Sequence, residues 1–255
     1  MKKTAICISG HLRNYKLGYQ NILEKIIKPN CEKFSFDFFI HTWNEDNWKC
    51  PTSDGKNHSP KSLSLDEKED IINTFKPKEI IFEKNINWNT SRHSSLMKKG
   101  HVKKRSDGSH VIAMYYKIFK CNQLKKKEEA EWGLYDMCFR TRSDLFLGNN
   151  INLNNYLTNQ SDTIFIPGFL GEKEELAPLG DFGLRDVWAF SCSRNIDYYS
   201  SLYSVFDDTV KQYNMIRPET LLYYHLKKNK NIKYSAIPSI NAYVQSSPTS
   251  QKTYL

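Results

Sequence analysis

Three charged residues spaced by two, Arg140, Arg142 and Asp144, interrupt an otherwise apolar run from Tyr135 to Leu147. A run of that kind predicts a strand buried in a mostly parallel sheet. Strand side chains alternate between faces, so both guanidiniums and the carboxylate are expected on one side, within roughly 13 Å at about 3.3 Å per residue. Ionised groups taken out of water are costly unless paired. Either Arg142 and Asp144 satisfy each other as a structural ion pair, or the cluster receives a ligand that is anionic, metal-bound or both. Asp144 lies just before Gly148-Asn149-Asn150, and ligands of open parallel sheets sit beyond the carboxyl ends of strands, which favours the second reading.

Other residues of the right type lie at predicted element ends. The strand Thr4 to Ser9 runs into the turn Gly10-His11-Leu12-Arg13-Asn14, a common position for a nucleotide, with Arg13 available to a phosphate. His41 and Thr42 close the strand Phe34 to Trp43, and a satisfied core histidine is the simpler reading of His41. Asp186 stands at the start of the strand ending at Ser191, after a loop from Gly168 to Leu184 that carries Glu172, Glu174, Glu175 and Asp181. Glu219 follows Pro218 in the first turn of a helix, where complementing the helix dipole, worth ~0.3–1 kcal/mol, accounts for it as well as a functional role does. Neither the Gly-x-Gly-x-x-Gly spacing of a dinucleotide site nor a Walker lysine loop is present, so neither a Rossmann dehydrogenase nor a P-loop enzyme is supported.

The elements that must hold these residues alternate. Strand, helix (Tyr15 to Lys28, stopped by Pro29), strand, helix (Leu65 to Phe75) and strand (Glu79 to Glu83) argue for an α/β layered fold. A long helix is expected from Ser109, as cap, to Lys127, with Val111, Met114, Ile118 and Cys121 on one face. Further strands are expected at 163–167 and 232–237 and a helix at 196–213, and the polar tail 241–255 reads as poorly ordered or as an arm. Residues 85–110 break the rhythm with Arg92, Lys98, Lys99, Lys103, Lys104 and Arg105 opposed only by Asp107. That stretch reads as a solvated basic loop, a lid over diphosphate or an arm on anionic lipid. With Trp88 its only large aromatic, the stacking platform of a nucleic-acid binder is weak.

The net charge of +9 calls for an acidic partner, and 255 residues at 39 % hydrophobic allow a sizeable core. The cysteines are scattered without a Cys-x-x-Cys pair and read as buried small hydrophobes of a reducing compartment. No segment approaches the ~20 apolar residues of a membrane span, and the amino-terminal apolar run is short for a signal peptide. The expectation is a cytoplasmic protein, compatible with peripheral contact at an anionic inner membrane face.

Several short segments in order, Ile6-Cys7-Ile8-Ser9-Gly10-His11-Leu12-Arg13, Phe36-Asp37-Phe38-Phe39-Ile40-His41-Thr42-Trp43, Met114-Tyr115-Tyr116-Lys117, Arg140-x-Arg142-Ser143-Asp144-Leu145, Ile166-Pro167, Asp186-Val187-Trp188-Ala189-Phe190-Ser191 and Pro218-Glu219-x-Leu221, resemble small bacterial surface-polysaccharide glycosyltransferases of the GT-A type, the WavE-like lipopolysaccharide-synthesis proteins. The resemblance implies one Rossmann-like domain over residues 1–240, with a mostly parallel mixed sheet flanked by helices. It also implies a UDP-type nucleotide-sugar donor and a glycan or lipid-linked glycan acceptor in capsule or lipopolysaccharide synthesis. Asp144 would take the place of the Asp-x-Asp element, and Ser9, Gly10, His11, Arg13, His41, Thr42, Lys117, Arg140 and Arg142 would line the donor site. Arg142 stands where the first aspartate of that element would be. A divalent manganese or magnesium ion could still be held by Asp144 with phosphate oxygens and water, and equally Arg13, Arg140 and Arg142 could hold the diphosphate without metal. Asp186 is the first choice for the group that takes the acceptor proton, with Asp181 and Glu219 behind it. A nucleotidyltransferase, which needs more carboxylates around its metal, and a basic nucleic-acid-binding protein are the alternatives.

Overall fold

The central sheet grows outward from β1 (Lys2–Gly10), whose residues from Thr4 to Ser9 are all buried. In the computed structural model, which describes residues 1–45, 62–89, 108–157, 162–175, 182–237, 240, 242–247 and 250–254, β1 pairs in parallel with β2 (Phe34–Trp43) on one side and β4 (Met137–Thr141) on the other. β3 (Glu79–Glu83) adds in parallel to β2. Beyond β4 come β9 (Ala189–Ser191), antiparallel to both its neighbours, then β6 (Thr163–Ile166) and β10 (Lys233–Ala236). The result is a seven-stranded mixed sheet in the order β10-β6-β9-β4-β1-β2-β3, mostly parallel, with helices on both faces.

Alternation along the strands builds two cores. Ala5 and Cys7 of β1, Phe39 of β2 and Cys138 of β4 face α3 (Ser109–Trp132), together with α4 (Ser193–Ser200), α5 (Phe206–Tyr213) and α6 (Pro218–Lys228). Ile6, Ile8, Phe38, Ile40, Met137 and Phe139 point the other way, onto α1 (Tyr15–Ile22), the widened turn that follows it, and α2 (Leu65–Phe75). α2 starts with a capping box, Ser64 accepting from the Glu67 amide and Glu67 from the Ser64 amide, as Ser-x-x-Glu before an apolar run dictates.

Several expectations need correction. The run from Tyr135 to Leu147 is not one strand. The chain turns after Thr141, and β5 (Leu145–Leu147) joins a separate three-stranded antiparallel sheet with β11 (Ala242–Ser247) and β12 (Ser250–Tyr254). The carboxyl-terminal segment thus forms strands, anchored where Tyr243 stacks on Phe146. Asp136 lies at the amino end of β4, accepting from the Lys3 amide. α3 begins behind Gly108 with positive φ and no side-chain cap, and it runs past Lys127 to Trp132. Lys125, within this helix, is fully buried and paired with Glu129 and Asp197 at 2.9 Å each. The expected helix 196–213 starts at Ser193 and is divided by a tighter turn over Ser201–Val205. A short hairpin, β7 (Phe169–Leu170) with β8 (Gly183–Leu184), occupies part of the expected loop.

Of the basic segment, residues 90–107 lie outside the described residues. Trp88 just before them is not in a solvated loop: it packs edge-on against Tyr116 of α3 with ring centroids 5.2 Å apart. Among the described residues, no helix is long and apolar enough to cross a membrane.

Candidate functional site

From β1 the sheet order departs in two directions, to β2 and β3 on one side and to β4 on the other. In open α/β sheets that reversal leaves a crevice beyond the carboxyl ends of the central strands. Gly10 closes β1 with φ +100, and a Cβ built on it would meet nothing within 4 Å, so the main chain there is open to close approach. The turns after β1 and β4 are fastened together: the buried Ser143 hydroxyl lies 3.1 Å from the carbonyl oxygens of both His11 and Arg13. α1 presses on the same turn through Gly18, where a Cβ would come within 1.8 Å of the Ser143 carbonyl oxygen.

Because the chain turns at 142, the triplet does not project to one side. Arg140, paired in register with Cys7 and Ala189, faces α3 and donates from Nη1 to the Asp186 main-chain oxygen. Arg142 doubles back on Asp144 in a two-pronged ion pair, Nε to Oδ1 at 2.7 Å and Nη2 to Oδ2 at 2.8 Å. This is the self-satisfying arrangement anticipated as the alternative to a ligand. It is lopsided, though: Asp144 is 1 % exposed, while the Arg142 side chain keeps 32 % of its surface. The pair's outward component is a cation.

On the α3 side of the same edge lie two of the candidate acids. Asp186 is 9 % exposed, and burial raises its carboxyl above the usual range against the pull of Arg140 and Arg142. Its Oδ2 and the Nε of Arg140 are buried without a hydrogen-bond partner among the described residues. Glu219, in the first turn of α6, is raised first by burial and then by the charge of Asp186. Tyr115 fixes this end of α6 by donating to the Pro218 carbonyl at 2.7 Å. Asp181 lies outside the described residues.

At the end of β2 the expected donor residues are occupied with one another. Lys117, 1 % exposed, donates to Glu83 at 2.8 Å and to the Thr42 carbonyl at 3.0 Å, with Nζ 3.4 Å from the centre of the Trp43 ring. Burial pushes it down to about 8, against the attraction of Glu83. Burial, and then Lys117, push His41 down to about 3, so it is neutral at neutral pH. His41 Nδ1 and the Ser9 hydroxyl, register neighbours on β2 and β1, are both buried without partners among the described residues. His11 holds the Glu45 carbonyl at 3.1 Å, and burial pushes it down to about 4.

The structure therefore brings Ser9, Gly10, His11, Arg13, Arg140, Arg142 and Asp144 to the carboxyl edge of β1 and β4, with Asp186 and Glu219 on its α3 side, and buries Ser9, Arg140, Asp144 and Asp186 there. It sets His41, Thr42 and Lys117 beside it in an aromatic and ionic cluster. Sequence reading missed Glu83 and Tyr115. Glu83 ends β3 as His41 nears the end of β2, and that position was the available signal. Among the described residues no three His, Cys, Asp or Glu side chains group as metal ligands. Asp144, expected to hold a metal, has each oxygen engaged once by Arg142, so a cation there would share the carboxylate with a guanidinium. No protein-family model matches the chain, and no curated protein matches it.

Proposed function

We propose that the protein is a GT-A-like glycosyltransferase that moves a sugar from a nucleoside-diphosphate donor to a hydroxyl of a surface-glycan acceptor. One observation carries this reading: at the strand-order reversal, an arginine side chain one-third exposed on a pair of hydrogen-bonded turns lies on one side and two carboxyls raised by burial lie on the other. Sugar transfer needs both parts. The departing diphosphate carries negative charge that fixed cations stabilise, and the incoming hydroxyl must lose a proton to a nearby base.

In this reading Arg142, held in plane by Asp144, presents its outer edge to the diphosphate, and Arg13 adds to it from the adjoining turn. Guanidiniums suit the task because their paired N–H groups match two phosphate oxygens. The Gly10 main chain allows the donor to lie close to the sheet edge. Among the described residues, Asp144 is the one carboxylate placed to meet a divalent metal on the diphosphate, and no step is assigned to one. The carboxyls on the α3 side serve the acceptor.

A thermal-shift titration with nucleoside diphosphates and sugar nucleotides, with and without manganese, tests the reading. Stabilisation by a nucleoside diphosphate without metal, lost in Arg142→Ala, is the expected result. No stabilisation by any of them would end it.

A further inference from the structure

An acceptor hydroxyl can give its proton only to an oxygen that it can touch. Asp186 offers little: its Oδ2 is buried, and Arg140 grips its main-chain carbonyl from the sheet side. Glu219 keeps 27 % of its side chain exposed, and among the described residues the cation paired with it, Arg217 Nε, is 4.0 Å away, beyond hydrogen-bond length. Its backbone is nevertheless held fast. A Cβ on Gly183 would come within 2.4 Å of the Glu219 carbonyl carbon, Thr220 donates to the Phe182 carbonyl at 2.7 Å, and Tyr115 secures Pro218. Phe182 and Gly183 begin the stretch that leads to Asp186, so both acids are fixed by one short stretch of chain.

Building on the transfer reading, we propose that Glu219 is the catalytic base and that Asp186 is a positioning residue standing behind it. The acceptor hydroxyl loses its proton to the Glu219 carboxylate as its oxygen bonds to the anomeric carbon. The bond from that carbon to the diphosphate breaks, and its electron pair leaves with the diphosphate towards Arg142 and Arg13. A single displacement of this kind inverts the anomeric configuration.

Asp186 acts through charge. Facing the two acids are Arg140 from β4, Arg142 from the turn after it, Arg185 and Arg217 on either flank, His110 and Tyr115 from α3 and Tyr199 from α4. Against those cations, burial and then Asp186 keep the Glu219 carboxyl raised, which makes it a stronger base once ionised. Removing the Asp186 charge therefore moves the acid limb of the rate profile to lower pH.

The decisive experiment follows transfer by the full chain across pH, reads the product anomer by NMR and measures donor affinity by calorimetry. Glu219→Gln is expected to lower kcat by more than about 100-fold, as loss of a general base does, with donor affinity within about twofold of wild type. Formate added as an external base should restore part of the activity of Glu219→Ala. Asp186→Asn should keep measurable transfer, with its acid limb displaced downward. The assignment is overturned by a retained anomer, by Asp186→Asn losing more kcat than Glu219→Gln while both bind donor, or by formate rescuing Asp186→Ala and not Glu219→Ala. Should Asp186→Asn fail to fold, the anomer and the formate response of Glu219→Ala decide alone. If wild-type protein binds no nucleotide and transfers no sugar, the transfer reading itself fails, and the assignment falls with it.

Discussion

Asp144 and Arg142 divide one ion pair unequally between protein and solvent, and the division sets what each substitution does. Deleting the buried partner leaves Arg142 able to rehydrate through its exposed third, whereas deleting the guanidinium strands a carboxylate at 1 % exposure. Arg142→Ala should therefore cost roughly 3–5 kcal/mol, the range for a buried charge left unpaired, and Asp144→Asn roughly 1–3 kcal/mol. Urea denaturation of the two variants checks the order, and equal midpoints would contradict it. Asp144→Asn also frees the guanidinium to swing, so we predict that it folds yet loses transfer. Turnover equal to wild type in that variant would separate the pair from the chemistry.

At the scale of elements, the turn at 142–144 depends on α1. Gly18 is the contact, and an alanine there must push its methyl into the Ser143 carbonyl oxygen, backbone against backbone. We expect Gly18→Ala to destabilise by about 1–3 kcal/mol, the usual range for overpacking, and to weaken nucleoside-diphosphate binding more than a distant substitution of equal stability cost. Melting temperature and calorimetry on the same samples test both parts. The same turn marks where sequence reading stopped. Apolar runs bounded by turn and cap signals identify β1, β2, β3 and α2 with almost their observed ends, because β1 and β2 are buried on both faces and α2 carries its own start signal. In the run from Tyr135 to Leu147 buried residues continue on both sides of the turn, since both β4 and β5 are buried, and nothing local marks Arg142 to Asp144 as a turn rather than charged strand residues. Ser143 carries the turn through hydrogen bonds to residues about 130 positions away, which no window of neighbouring sequence contains. The candidate site was more readable than its geometry. Residue types at strand ends pointed to the crevice, but which acid is sheltered and which is open depends on α6 meeting β8.

For the molecule as a whole, buried neutral histidines tie stability to pH. His225, stacked on Tyr198 at 4.5 Å and bonded to its carbonyl at 2.8 Å, is pushed down to about 4 by burial, as His41 is to about 3. An ordinary histidine gains its proton near 6.5, so the unfolded chain binds protons that the fold refuses. Stability contributed by these residues is present above pH 6.5 and is lost as pH falls towards 4. The raised carboxyls of Asp186 and Glu219 work in the opposite direction, because the fold binds their protons more readily than the unfolded chain does. A substitution isolates one contribution. His225→Phe, which keeps the stack, should make stability less dependent on pH between 6 and 5 by about 1.4 kcal/mol per unit. Paired urea titrations at those two values supply the measurement, and identical slopes in variant and wild type would refute it.

The reversed strand β9 has a wider meaning for how such a molecule can change. β6 leaves the sheet at the same edge at which β9 comes back, so the connection between them departs from and returns to the rim that carries the candidate site. Residues can be gained or lost between β7 and β8 without altering any register of the central sheet, because closure entropy grows only slowly with the length of a connection. On the proposed reading, the guanidiniums that would grip the departing group (Arg13, Arg142) and the acids that would meet the incoming one (Asp186, Glu219) stand on separate stretches of chain, so either set can be changed without the other.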